Sequence, residues 1–362
     1  MDIILWKRGA EVHVKKHKQL MWAGITLLIG ILTSVAVISQ SRELTFSELL
    51  ARMRQMNAGA QVLVYLCIAG YILSEGMALW LLCREAGYKR SLLDTTIYGA
   101  SDIYCAAITP SATGGQPVCA WFMKRDNIPM GYITAILSIY LIVHTFSTLT
   151  VGLLGALMGR DVLRDMSILS KILVVLGYLT ICLLAFLFVA VTRWHDRIIR
   201  VGNKIIDGLV RKGWLKREEY WKTRLRSTVD DYSTGVQGLS AGWKILFQVY
   251  LLNLAQRLCQ TVISAIVYSA TVTGGSADGA RKVFVSQIFS MIGSSCMPVP
   301  GGMGFADYLL FDGIHTILDK ETALQMELMA RGFSFYICII ICLVIVLAGY
   351  LLKKTAYAIL KL

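Results

Sequence analysis

Two short segments rich in proline and glycine interrupt apolar runs that would otherwise read as membrane-spanning. They are Thr-Pro-Ser-Ala-Thr-Gly-Gly-Gln-Pro at 109–117 and Met-Pro-Val-Pro-Gly-Gly-Met-Gly at 297–304. Irregular backbone in lipid leaves N–H and C=O groups unpaired at several kcal/mol apiece, so it persists only inside protein or beside a wet cavity. A matched pair of broken segments in the two halves of a polytopic chain points to a transport site.

The composition agrees with a membrane setting. Hydrophobic residues make up 56% of the 362 and charged residues only 16%, too little charge to cover a soluble surface. The stretch 20–39 is long enough to cross the hydrocarbon and lacks a small-residue cleavage site, so it reads as a retained helix. The nine cysteines lie almost entirely in apolar segments with no CxxC pair, and read as packing residues. The five histidines show no metal spacing, and no nucleotide-binding or hydrolase motif stands in its proper context. The chain is therefore expected to be neither an enzyme nor a metal or cofactor protein, and nothing in it supports nucleic-acid binding.

Six segments are long enough to span: 20–39, 60–83, 129–158, 169–192, 243–272 and 330–352. The stretches 92–123 and 283–318 carry only short apolar pieces on each side of a break, so each reads as a re-entrant helical hairpin. With the N-terminus inside, 24 of the 36 Lys and Arg fall on cytoplasmic segments and 10 on external ones, 320–331 among the latter. The fold class expected is an all-α polytopic membrane protein with both termini inside. Its halves, 1–158 and 169–362, each run span, span, hairpin, span, and the second starts from the opposite face: an inverted-topology repeat. The basic loop 193–242 reads either as amphipathic helices on an anionic leaflet or as a solvated connector.

Polar groups inside spans usually face a bundle interior or a wet path. Asn253, Gln256, Arg257, Gln260 and Ser264 form one helical stripe in 243–272, with Arg257 too central to reach either surface. Glu75 lies in 60–83 and Asp102 inside the first hairpin, with Asp307 as its counterpart after the second break. At the breaks, Ser111, Thr113 and Gln116 offer donors. Gly114, Gly115, Gly301, Gly302 and Gly304 let a ligand approach the backbone, and Pro300 ends a helix. Each half-helix after a break begins with unpaired N–H groups, which suit an anion such as phosphate. His144 could titrate near neutrality but reads as a core histidine.

At these residues the chain resembles the lysylphosphatidylglycerol synthase transmembrane family, the flippase-domain family of MprF-type proteins. The resemblance is carried by 109–117 followed by Met123-Lys124-Arg125. It is carried again by 297–307, which follows the family's P-x-P-G-G-x-G-x-x-E pattern with Asp307 where glutamate is usual. It implies a stand-alone member in a bacterial plasma membrane, without the aminoacyl-transferase domain and with a lipid as substrate. The leading expectation is a flippase-like transporter that carries a phospholipid or glycolipid head group through a polar cavity between the hairpins. Arg257 would neutralise the phosphate there, and Glu75 or Asp102 would attract a cationic head group. Two rivals stand beside it: a membrane transferase with Asp102 or Asp307 as base, and a non-transporting partner of a separate lipid-modifying enzyme. A homodimer is left open by the glycine-rich spans.

Overall fold

A long apolar run without internal proline folds as a helix because its backbone then satisfies itself. The computed structural model describes residues 56–211, 218–238, 242–272 and 274–359, with Ala51 and Arg54, and every regular element among them is helical. The expected span 20–39 lies outside the described residues. The chain runs through α1 (Ala58–Glu85), α2 (Leu92–Ile108), a single turn at Pro110–Ala112, α3 (Gly115–Arg125) and α4 (Met130–Met158). The short α5 (Arg160–Asp165) leads to α6 (Ile168–Arg193), α7 (His195–Arg211) and α8 (Glu218–Gly238). Then follow α9 (Trp243–Thr271), α10 (Ala277–Ser294), a second turn at Pro300–Gly302 and α11 (Phe305–His315). The described chain closes with α12 (Lys320–Arg331), a π-helical stretch Gly332–Ile337 and α13 (Cys338–Ile359).

Four stretches are long and apolar enough to cross a membrane: Ala58–Glu85, Met130–Met158, Ile168–Ala190 and Lys320–Leu352. The expected span 243–272 is the 29-residue helix α9, yet it is not among them. Its polar stripe lowers its hydropathy, and protein covers that stripe: Asn253, Gln256, Thr261 and Ser264 are buried. The segment 320–331, expected as an external connector, is instead a helix continuous with the last span. Asp319 caps it by accepting a hydrogen bond from the Thr322 N–H at 3.0 Å, and no helix breaker follows before Gly332. Two of its charges, Glu327 and Arg331, are consequently buried.

α1 and α9 pack along each other in opposite directions. Gly70 lies against Cys259, and Gln256 Nε2 donates to Glu75 Oε2 at 2.6 Å. The second half of α4 closes on α10, where Gly152, Gly155 and Gly159 meet Ile292, Ile288 and Val285. Gly177 of α6 meets the Ile292 carbonyl on the same helix, so no side chain separates the backbones there. At that end of the bundle Arg281 donates to both Asp161 carboxylate oxygens (3.1 and 2.5 Å), which holds that carboxyl down to about 2. The basic loop contains two helices, α7 and α8, joined by Lys222 to Asp207 at 2.6 Å.

Candidate functional site

Both breaks are built alike. Thr109 (φ −113°, ψ 145°) and Val299 (φ −117°, ψ 136°) are extended, as the residue before a proline prefers. After each proline come two left-handed residues, Ser111 (φ 53°) and Ala112 (φ 55°) in the first break, Gly301 (φ 59°) and Gly302 (φ 64°) in the second. Each break then turns the chain back along the helix it left. Gly115 faces Asp102, and at the far end Tyr98 donates to the Asp126 carboxylate while Arg90 donates to the Asp126 carbonyl. In the second hairpin Ser290 donates to the Ala306 carbonyl at 2.6 Å, and Gly313 packs on Ser286. The two turns touch, with Gly301 beside the Ala107 carbonyl.

A cavity of about 790 Å³ opens where the hairpins meet. It follows α4 from Met130 to His144 and is walled by both hairpins, α1, α9 and the α12–α13 junction. Of the residues expected at a site, Glu75, Asp102, Ser111, Thr113, Gln116, Gln256, Arg257, Gln260 and Gly301 line it. Asn253, Gly114, Gly115, Pro300, Gly302, Gly304 and Asp307 do not line it, and each has a local reason. Gly114 donates its N–H to Thr109 Oγ1 at 2.9 Å, closing the first turn. Gly115 makes room for the Asp102 carboxylate, since a Cβ there would strike Oδ1. Pro300, Gly302 and Gly304 shape the second turn. Asp307 Oδ2 accepts from the Gly304 N–H at 2.8 Å, so the N-terminus of α11 is already occupied by its own chain. An anion there would have to displace Asp307.

Arg257 is held without a salt bridge to any acid among the described residues. Its guanidinium donates to Gln260 Oε1 at 3.2 Å and to His144 Nε2, while its Nε is buried with no partner among the described residues. An arginine can only donate, so His144 Nε2 must be the acceptor and the ring neutral. The proton then sits on Nδ1 and is donated to Asn253 Oδ1 at 3.0 Å. Asn253 is oriented in turn by donating its amide to the Val249 carbonyl at 2.9 Å. Asn253 thus supports the arginine from behind. His144 enters the site through a partner 113 positions away. Buried Gln256 Oε1 and the Tyr140 hydroxyl, both on the cavity lining, also lack partners among the described residues.

Across the cavity sits Arg331, a residue of the segment expected as a connector. Its Nε donates to Asp307 Oδ1 at 2.5 Å and its guanidinium lies 4.5 Å from the Phe335 ring centroid. Glu327 is buried beside the same Asp307.

Residues 21–342 match the family described as the lysylphosphatidylglycerol synthase TM region. A UPF0104 membrane protein of Archaeoglobus fulgidus is 27% identical over 137 residues, which covers 33% of this chain and 42% of that protein. With the match covering most of its length, the chain belongs to the lysylphosphatidylglycerol synthase transmembrane family and is a multi-pass membrane protein.

Proposed function

We propose that this protein is a flippase-like transporter that moves a phospholipid or glycolipid head group through the cavity between its two breaks. The observation that carries the reading is Arg257, a cavity-lining guanidinium that forms no salt bridge among the described residues and whose Nε is unpartnered there. A buried donor without an acceptor is costly, and a phosphate ester offers the acceptor that the Arg257 Nε lacks. The cavity's size, about 790 Å³, suits a phosphorylated head group while acyl tails stay in lipid.

On this reading the hairpins are re-entrant and the halves form an inverted repeat. The matched dihedrals of the two breaks and the opposed α1 and α9 support it. The cavity runs along α4 from His144 to Met130, and Met130 is exposed at the end that the charge bias assigns to the cytoplasm of a bacterial cell. The glycine-lined contact of α4 and α6 with α10 packs the other half of α4, and rocking of the halves would exchange access between the two faces.

Reconstitution into liposomes with a fluorescent phosphatidylglycerol tracer tests the function. Wild-type vesicles should expose inner-leaflet tracer to a membrane-impermeant quencher at a rate well above empty vesicles. Arg257→Gln should lose nearly all of that rate, and Arg257→Lys should keep part of it, having charge but no planar fork. Equal rates in wild-type and Arg257→Gln vesicles would remove the mechanism. Labelling of Lys212→Cys from outside the cell would overturn the orientation.

A further inference from the structure

Glu75 and Asp102 come from different elements, the core helix α1 and the first hairpin arm α2, yet their carboxyl groups lie within hydrogen-bonding reach of each other. Three glycines make the approach feasible. Gly76 lies against Thr96, Gly99 against the Glu75 side chain, and Gly115 against Asp102. Two carboxylates at that separation repel, whereas a carboxylic acid and a carboxylate share a strong hydrogen bond. Both groups line the cavity, and beside them the buried Gln256 Oε1 and Tyr140 hydroxyl lack partners among the described residues and call for water. A proton therefore has both a seat and a wet route to it.

The charged and titratable neighbours are Tyr71 on α1, Cys119 on α3, Tyr140 and His144 on α4, Arg257 on α9, and Cys342 on α13, with Cys105 on α2 itself. His144 is committed as a neutral acceptor, so Arg257 is the cation at hand. With one shared proton the pair and Arg257 are together neutral.

We propose that Glu75 and Asp102 form a proton-binding site on the wall of the cavity, and that proton loading there is linked to phosphate loading at Arg257. A hydronium ion in the cavity gives its proton to one carboxylate oxygen and leaves as water; the reverse occurs when access alternates. An anion at Arg257 takes up the charge that otherwise offsets the remaining carboxylate, so it draws a proton onto the pair. Proton and phosphate load together, and a pH gradient can then drive the lipid. The linkage half of this inference rests on the transport reading above; the proton site does not.

Infrared difference spectroscopy of the purified full chain across a pH titration reads the site directly. Wild type should show a protonated-carboxyl C=O band that is absent in both Glu75→Gln and Asp102→Asn. Each variant should first be shown monodisperse by gel filtration. A wild-type spectrum without such a band, or a band that survives both substitutions, overturns the proton site. In phosphatidylethanolamine–phosphatidylglycerol vesicles, tracer movement should speed up as the loading side is acidified. The limit is about tenfold per pH unit for one linked proton, and both variants should flatten the dependence. A flat wild-type rate overturns the linkage alone. Absence of any lipid movement would sink the transport reading, while the infrared band would still decide whether the pair binds a proton.

Discussion

The molecule holds two charge clusters of the same inventory, one at each break, wired differently. Around the first break stand Glu75, Asp102 and Arg257; around the second, Glu327, Asp307 and Arg331. In the second cluster the arginine is spent on an acid, Asp307, which also caps α11. Neither of its carboxyls lines the cavity. In the first cluster the arginine is held by a neutral imidazole and an amide, both carboxyls line the cavity, and polar atoms are left unpartnered among the described residues. A buried ion pair that satisfies itself is a brace, whereas charges kept apart beside a cavity are poised for a ligand.

The sharpest way to break this contrast is to remove each arginine in turn and measure stability. Arg331→Gln leaves the half-buried Asp307 and the buried Glu327 carboxyls without their cation, and breaking a buried ion pair typically costs about 3–5 kcal/mol. The variant should lose much of its thermal stability in detergent, and adding Asp307→Asn should restore part of it. Arg257→Gln breaks no salt bridge among the described residues, and the Glu75–Asp102 pair it helps to offset can take up a second proton instead, so the variant should stay within about 1 kcal/mol of wild type. If Arg257→Gln melts and Arg331→Gln does not, the roles of the two clusters are reversed.

Much of this was legible in the sequence where the physics is local. Proline and glycine mark both breaks, and the spacing of Gln256, Arg257 and Gln260 places them on one helix face, which the structure turns to the cavity. What stayed hidden depends on contacts between distant segments. His144 reads as a core histidine until Arg257 and Asn253 are brought against it. Glu327 and Arg331 look like charges of an external connector because their burial follows from α12 running on through a π-helical stretch into the last span. The replacement of the family's glutamate by Asp307 likewise takes meaning only from its two partners, Gly304 and Arg331.

The two turns differ in the same sense, and the second test is smaller. Gly301 has φ 59°, and a Cβ there would run into the Phe335 ring. Gly301→Leu combines overpacking with a left-handed non-glycine residue, at about 1–3 kcal/mol for the overpacking alone. It should destabilise the fold and stop transport together. Gly115 is buried, and Gly115→Leu would drive a side chain into the Asp102 carboxylate and carbonyl, so stability should fall here too, but transport should fall further because a cavity-lining group is displaced. Equal losses in both variants would mean that the turns are interchangeable packing kinks.

The smallest effect bears on why the first turn uses Ser111 and Ala112 where the second uses glycines. Left-handed backbone costs a non-glycine residue roughly 1–2 kcal/mol, and such strain tends to persist at functional sites. Ser111→Gly relieves it but adds back roughly 0.5–1 kcal/mol of chain entropy on folding, so the net gain should be well under about 1 kcal/mol. Thermal unfolding in detergent should show a rise of about a degree or two. Ser111 is exposed on the cavity wall, so the same variant removes a hydroxyl donor from the head group's path. Transport should therefore fall while stability rises. If both rise, the serine's hydroxyl is idle, and the contrast between the turns is one of backbone geometry alone.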